Sequence, residues 1–124
     1  MALALIIEDD ENQAPIFAQA LKMAEFETET ISDGQAALDR LAVVVPDLVL
    51  LDMHLPHVSG DIILRQIRAD ERLAETRVML ATADAVMAEN LRDESDLVLL
   101  KPISFTQLRD LAKRLRPLDT LDNA

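Results

Sequence analysis

The stretch Leu48-Val49-Leu50-Leu51-Asp52-Met53-His54-Leu55-Pro56 joins four apolar residues to an aspartate and then to a loop that contains histidine and proline. A short apolar run bounded by turn signals is typical of a strand buried on both faces of a sheet. Asp52 stands at the carboxyl end of this strand, where open α/β sheets place their ligand crevices. Because an ionised carboxylate is costly to bury without a partner, we expect other residues to gather around Asp52.

Strand-like and helix-like patterns alternate five times along the chain. Strands are predicted at residues 3–7, 27–31, 48–51, 78–81 and 97–100. Helices are predicted near residues 12–24, 36–44, 62–67, 83–93 and 105–115, where apolar residues recur at helical spacing, with Asn12 as the expected N-cap of the first. This alternation predicts an α/β, doubly wound fold with a five-stranded parallel sheet in the order 2-1-3-4-5.

In that strand order, residues that end different strands meet at one edge of the sheet. Glu8 and Asp9 follow the first strand, and we expect them beside Asp52 because strands one and three are neighbours. Thr82 and Lys101 end the fourth and fifth strands. At roughly 4 Å and an effective dielectric of about 20, each pair of carboxylates repels by about 4 kcal/mol. A bound cation relieves this repulsion, and an all-oxygen ligand set favours Mg²⁺.

A carboxylate beside Mg²⁺, with a lysine and a hydroxyl opposite, is typical of phosphoryl transfer, in which cations neutralise the phosphoryl oxygens and the carboxylate is the nucleophile. Taken singly, Thr82 is typical of a helix N-cap and Lys101 of a surface charge. Their joint placement with Asp52 at the ends of inner strands favours a site. The sequence does not favour His54 and His57 as a metal pair or as phosphate carriers, because their loop shows no third ligand.

The chain resembles a response-regulator receiver domain of two-component signalling, from Leu3 to about Leu115. Four blocks in the right order and spacing carry the resemblance. They are Ile6-Ile7-Glu8-Asp9, Leu50-Leu51-Asp52-Met53-His54-Leu55-Pro56 with Gly60, Ala81-Thr82-Ala83, and Lys101-Pro102.

The resemblance implies a flavodoxin-like (βα)5 fold in which Asp52 is the phosphoacceptor and Thr82 and Lys101 bind the phosphoryl oxygens. It implies Mg²⁺ as the cofactor, with four ligands or near ligands: Glu8, Asp9, Asp52 and the main-chain carbonyl of His54. It also implies a cis bond between Lys101 and Pro102. The implied phosphoryl donor is a sensor histidine kinase or a histidine phosphotransfer protein. The implied output is a conformational change on the face of the fourth helix, fifth strand and fifth helix, presented to a downstream protein or to a second copy of the chain.

Two positions blur or break the family pattern. Asp10 makes a third consecutive acid, so the working pair could be Glu8-Asp9 or Asp9-Asp10; we prefer Glu8-Asp9 because the apolar run stops at Ile7. The family commonly has Tyr or Phe three residues before the lysine, and this chain has Val98 there. The chain therefore departs from the family at the usual aromatic switch position, and this departure does not bear on phosphorylation.

Composition excludes several other classes of function. The 124 residues suit one domain, expected at residues 1–117 with a short tail at 118–124. We interpret the chain as a single-domain response regulator, and the alternative that it is a piece of a longer protein stays open. A formal charge of −11 repels phosphate backbones, so we expect no nucleic-acid binding by this domain. The chain has no cysteine and no apolar run long enough for a bilayer, which fits a cytoplasmic protein with no membrane partner.

Under the receiver interpretation, the chain is a phosphoacceptor that loses its phosphoryl group slowly to water and is not an ordinary enzyme. Two alternatives remain. A haloacid-dehalogenase-like aspartyl phosphatase uses a similar set of groups. It requires a second carboxylate two residues after the nucleophile, where this chain has His54, and a cap domain for which the length leaves no room. A degenerate receiver would act only as an interaction module. The presence of all the expected acids and of Lys101 argues against this alternative.

Overall fold

The computed structural model describes residues 1–117, and the expected tail at 118–124 lies outside the described residues. Strands and helices alternate in the order β1 Ala2–Ile7, α1 Gln13–Met23, β2 Phe26–Ile31, α2 Gly34–Leu41, β3 Leu48–Asp52, α3 Gly60–Ala69, β4 Arg77–Thr82, α4 Ala85–Asn90, β5 Leu97–Leu100 and α5 Phe105–Leu115. All strand pairs are parallel, and the sheet order β2-β1-β3-β4-β5 confirms the predicted topology. No helix in residues 1–117 is long and apolar enough to span a membrane.

The core forms two layers, one on each face of the sheet. All five residues of β3 are buried, and because side chains alternate along a strand, Leu48 and Leu50 pack toward α1 and α5. Val49 and Leu51 pack on the other face, toward α2 and α3. Burying one such side chain stabilises the fold by about 1.5–3 kcal/mol. The apolar run that precedes Asp52 therefore anchors the strand in both layers and holds its carboxyl end in place.

The start of α1 differs from the sequence prediction. Asn12 occupies the N-cap position, but its side chain makes no capping hydrogen bond. Asp10 Oδ1 instead accepts hydrogen bonds from the backbone N–H groups of Asn12 at 2.8 Å and Gln13 at 3.2 Å. Asn12 is thus the N-cap residue, as predicted, but the capping hydrogen bonds come from an acid two residues earlier that reaches the same free N–H groups.

The fourth helix is shorter than expected. It has six residues, Ala85–Asn90, and is followed by a 3₁₀ turn at Arg92–Glu94. Asp84 caps it by accepting hydrogen bonds from the N–H groups of Val86 and Met87, so Thr82 is not its N-cap. In α4 only Ala88 is buried, which leaves this helix with a small share of the core.

Candidate functional site

The carboxyl ends of β1 and β3 bring three acids together. Ile7 pairs with Leu51 in the sheet, so the next residues, Glu8 and Asp52, emerge side by side. Both are buried, with 2% and 3% exposure, while Asp9 is exposed. Each of the three offers a carboxylate oxygen, and these oxygens lie within 4.8 Å of one another. The edge predicted from the strand order therefore carries a concentrated negative charge.

Lys101 places its ammonium between the two buried acids. Its Nζ lies 2.9 Å from Glu8 Oε1 and 3.4 Å from Asp52 Oδ1. The loop after β5 positions it: the backbone N–H of Lys101 donates to the Thr82 carbonyl at 2.8 Å, and the bond to Pro102 is cis, as the family resemblance implied. The side chain is only 17% exposed, so Lys101 is not an ordinary surface charge. Burial lowers the pKa of Lys101, but its hydrogen bond with Glu8 and the charge of Asp52 raise it overall, and it stays protonated.

Glu8 is the acid whose ionisation the site opposes most clearly. Burial raises the pKa of its carboxyl, and the hydrogen bond to Lys101 lowers it. Contact with Asp52 raises it again, and the result is a pKa of about 7. Near neutral pH the site therefore lacks enough positive charge to keep all its acids ionised.

These residues fit a magnesium ion. The candidate ligands are oxygens, as Mg²⁺ prefers, and the exposed Asp9 carboxylate opens the cluster to the water ligands that Mg²⁺ usually keeps. The raised pKa of Glu8 shows that added positive charge would stabilise the ionised cluster. The His54 carbonyl oxygen accepts no hydrogen bond within residues 1–117, so it is free to act as a further ligand.

Asp10 takes a different role from its two neighbours. Besides capping α1, its Oδ2 accepts a hydrogen bond from Gln13 Nε2 at 2.9 Å. The backbone hydrogen bond from Asn12 lowers the pKa of its carboxyl, and Gln13 lowers it further. With its carboxylate engaged by α1, Asp10 is not part of the acidic cluster, which consists of Glu8, Asp9 and Asp52.

Thr82 lies fully buried at the end of β4, beside the strand that carries Asp52. Its Oγ1 accepts a hydrogen bond from the Asp84 N–H at 3.0 Å and lies 3.3 Å from His54 Nε2 and 3.8 Å from Met87 Sδ. The backbone N–H of His54 donates to Asp52 Oδ1 at 3.2 Å. Sequence reasoning assigned Met87 only to an apolar helix face, and no motif indicates its contact with Thr82.

The second histidine lies elsewhere. His57 Nδ1 is 2.8 Å from Asp33 Oδ1, at the start of α2, and its side chain is 74% exposed. Neither imidazole belongs to the acidic cluster in the described part of the chain. The two histidines thus contact different elements and do not form a metal pair.

Gly60 allows the loop after Asp52 to fold back closely. A Cβ at this position would lie 2.7 Å from Met53 Cα and 2.8 Å from the Asp52 carbonyl oxygen. Both neighbours are backbone atoms, which cannot move aside without disturbing the end of β3. The glycine therefore lets α3 begin directly against the site.

Comparisons with known proteins agree with this geometry. The model of the response regulator receiver domain family matches residues 4–113. The transcriptional regulatory protein CutR of Streptomyces coelicolor is 36% identical over 107 residues, which cover 84% of this chain and 48% of CutR. The regulatory protein AtoC of Escherichia coli K12 is 29% identical over 118 residues, covering 94% of this chain and 26% of AtoC. The chain thus spans less than half the length of these two relatives.

Solved structures show the same fold. The receiver domain of the sensor histidine kinase PA1611 from Pseudomonas aeruginosa PAO1, solved with a magnesium ion in its active-site cleft, superposes with a TM-score of 0.82 at 23% identity. The match covers 92% of this chain and 96% of that one. Because the family model spans nearly the whole described chain, the conclusion is direct. This chain belongs to the response regulator receiver domain family of two-component signalling.

Proposed function

We propose that Asp52 accepts a phosphoryl group from a phosphohistidine of a sensor histidine kinase or a histidine phosphotransfer protein. Receiver domains as a class interact with histidine kinases. The observation that carries the assignment is the environment of Asp52: a buried carboxylate at the end of β3, within reach of two other acids and of the Lys101 ammonium. Its Oδ1 is hydrogen-bonded to His54 and Lys101. Neither of these two groups engages its Oδ2, and we assign the attack to that oxygen.

In the proposed transfer, Asp52 Oδ2 forms a new bond to phosphorus as the bond from phosphorus to the donor imidazole breaks, and the donor leaves with the electron pair of that bond. Lys101 faces the growing charge on the phosphoryl oxygens, and the Thr82 hydroxyl donates a hydrogen bond to one of them. Glu8, Asp9, Asp52 and the His54 carbonyl would hold Mg²⁺, which would supply further positive charge beside the phosphoryl group. Slow attack by water on phosphorus then breaks the bond to Asp52 Oδ2, releases inorganic phosphate and returns Asp52 to its free carboxylate form.

The partners follow from the same assignment. The signalling face consists of α4, β5 and α5, on which Val86 and Leu100 are 70% and 50% exposed and offer apolar contact area. We assign this face to the binding of a downstream protein target or of a second copy of the chain. We further assign residues 1–117 as the folded domain and the cytoplasm as its compartment. The phosphatase alternative gains no support, because His54 stands where that chemistry requires a second carboxylate and its ring contacts Thr82.

An intact-mass experiment tests the assignment. The wild-type protein, incubated with Mg²⁺ and acetyl phosphate or phosphoramidate, should gain the mass of one phosphoryl group. Asp52→Asn should gain none. Asp33→Asn, which removes an acid outside the cluster, should behave as the wild type. Because a small donor can react poorly, binding of beryllofluoride is measured in parallel by ¹⁹F NMR. Donor turnover without an adduct would indicate a phosphatase, and an adduct on Asp52→Asn would show that another residue is the acceptor.

A further inference from the structure

The hydrogen bonds of the Thr82 hydroxyl determine where its hydrogen points. A hydroxyl has one hydrogen to donate and two lone pairs that accept. The Asp84 N–H occupies one lone pair. The second lone pair and the hydrogen are left for His54 Nε2, at 3.3 Å, and Met87 Sδ, at 3.8 Å.

Two arrangements of the imidazole are conceivable. If His54 carries its proton on Nε2, the ring donates to the second lone pair of Thr82 and the hydroxyl hydrogen is directed at Met87. If the proton is on Nδ1, Nε2 takes the hydrogen and one lone pair of a fully buried hydroxyl stays unmatched. The structure has the Thr82 hydroxyl donating to Met87 Sδ, which leaves Nε2 as the donor to the second lone pair, so we infer the Nε2–H form.

The hydroxyl therefore faces away from the acidic cluster. Within residues 1–117, Thr82 Oγ1 makes no hydrogen bond to Glu8, Asp52 or Lys101. A phosphoryl oxygen is a charged acceptor, and hydrogen bonds to charged groups are about twice as strong as neutral ones. A thioether sulfur is a weak acceptor. A phosphoryl group on Asp52 would therefore replace Met87 Sδ as the acceptor of the Thr82 hydroxyl hydrogen.

We propose that His54 and Met87 are positioning residues for Thr82, and that the contact of Thr82 with Met87 ties the first turn of α4 to the site until a phosphoryl group replaces the sulfur as acceptor. This inference rests on the proposed function, because it requires the phosphoryl group on Asp52. His54 directs the hydroxyl, and Met87 on α4 receives it. Loss of the contact between Thr82 and Met87 is the step by which phosphorylation of Asp52 changes the packing of α4.

The packing around α4 makes this tie effective. Only Ala88 of the helix is buried, so apart from the cap by Asp84 few other contacts hold its first turn. Met87 and Val98 are both partly buried against the same apolar cluster. Val98 has little volume, whereas a released methionine is unbranched and flexible and can fill an irregular gap. Met87 therefore supplies the mobile apolar side chain of the switch, in a chain that has Val98 on β5.

Amide hydrogen exchange of residues 85–90 tests the tie, with Met87→Leu as the variant. This change keeps the volume of the side chain and removes the acceptor. The reverse swap Leu91→Met, in a partly buried residue of the same cluster at the end of α4, is the matched control. In the free protein, exchange in Met87→Leu should be about two- to fivefold faster than in the wild type, the range for loss of a hydrogen bond of up to about 1 kcal/mol. Beryllofluoride with Mg²⁺ should accelerate exchange in the wild type and in Leu91→Met and add little in Met87→Leu.

Two further measurements address His54. The ¹⁵N shifts of its ring in the free protein should show the Nε2–H tautomer, and an Nδ1–H ring would overturn the proposal. His54→Leu should accelerate α4 exchange, and His54→Gln, which keeps a donor, should restore it; equal behaviour of the two variants would contradict the positioning role.

Equal exchange in free wild type and free Met87→Leu would overturn the tie even if Asp52 is phosphorylated. Failure of the wild type to bind beryllofluoride would instead refute the proposed function, and the comparison of the free proteins would still decide whether the tie exists.

Discussion

Replacing Lys101 by methionine should destabilise the protein, because the lysine compensates two buried acids. Its Nζ is 2.9 Å from Glu8 Oε1 and 3.4 Å from Asp52 Oδ1. At an effective dielectric of about 20, these distances correspond to an attraction of roughly 5–6 kcal/mol each, before the cost of desolvation. Removing one partner from a buried ion pair typically costs about 3–5 kcal/mol. We therefore expect Lys101→Met to lower the free energy of unfolding by about 3 kcal/mol at pH 8 without Mg²⁺.

The loss should depend on pH through Glu8. Its pKa is raised by burial to about 7, above the ordinary value of 4.5. A carboxyl whose pKa is raised by folding favours the native state when protonated, so this contribution is present at low pH and is lost as the pH rises toward 7. Lys101 lowers the pKa of Glu8, so without it that pKa rises further. The difference between wild type and variant should thus be smaller at pH 5, where Glu8 is protonated and only the pair with Asp52 is lost, than at pH 8.

Urea unfolding at pH 5 and pH 8, with EDTA or with Mg²⁺ at matched ionic strength, measures these differences. Lys113→Met, on the exposed side of α5, is the control and should change stability by no more than about 0.5 kcal/mol. Mg²⁺ should stabilise Lys101→Met more than the wild type, since the ion replaces the missing charge. If Lys101→Met matched Lys113→Met at pH 8, or if its loss were the same at both pH values, the ion-paired cluster would be refuted.

Three more outcomes follow from the site. The affinity for Mg²⁺ should fall below about pH 7, by up to about tenfold per pH unit, because protonation removes the charge of Glu8, and calorimetric titration at pH 5.5, 6.5 and 7.5 would show it. Asp10→Ala should lower the melting temperature, because it removes the cap of α1, but should keep Mg²⁺ binding. Asp9→Asn should weaken Mg²⁺ binding with little loss of stability. The opposite pattern, with Asp10→Ala weakening Mg²⁺ binding, would make Asp9-Asp10 the working pair. Gly60→Ala should cost about 1–3 kcal/mol and slow phosphorylation from acetyl phosphate, since its Cβ meets the backbone of Met53 and Asp52. A variant as stable and as reactive as the wild type would contradict that close approach.

The elements of the sheet and their order were predictable because they depend on local patterns. The run that ends at Asp52 is apolar at every position, as a strand buried on both faces requires, and α5 shows its apolar stripe at helical spacing. Parallel strands then put their carboxyl ends at one edge, so the meeting of Glu8 with Asp52 followed from topology. Weaker patterns predicted less: α4 has one buried residue, and its end was placed three residues too late.

The roles of individual atoms depend on the tertiary structure. In sequence, only the end of the apolar run at Ile7 distinguishes Asp9 from Asp10. In the fold, the Asp9 carboxylate lies with Glu8, whereas the Asp10 carboxylate turns back to cap α1. Lys101 is separated by 93 residues from Glu8, so nothing local indicates that it is a buried counter-ion. The contact of Met87 with Thr82 likewise depends on side-chain rotamers and on how the start of α4 meets β4. By itself, the sequence determined the strands, their order and the edge where the site lies, because hydrophobic periodicity and strand topology are properties of segments. Only the tertiary structure decided which oxygen, nitrogen or sulfur meets which, because a hydrogen bond depends on differences of a few tenths of an ångström that no residue pattern encodes.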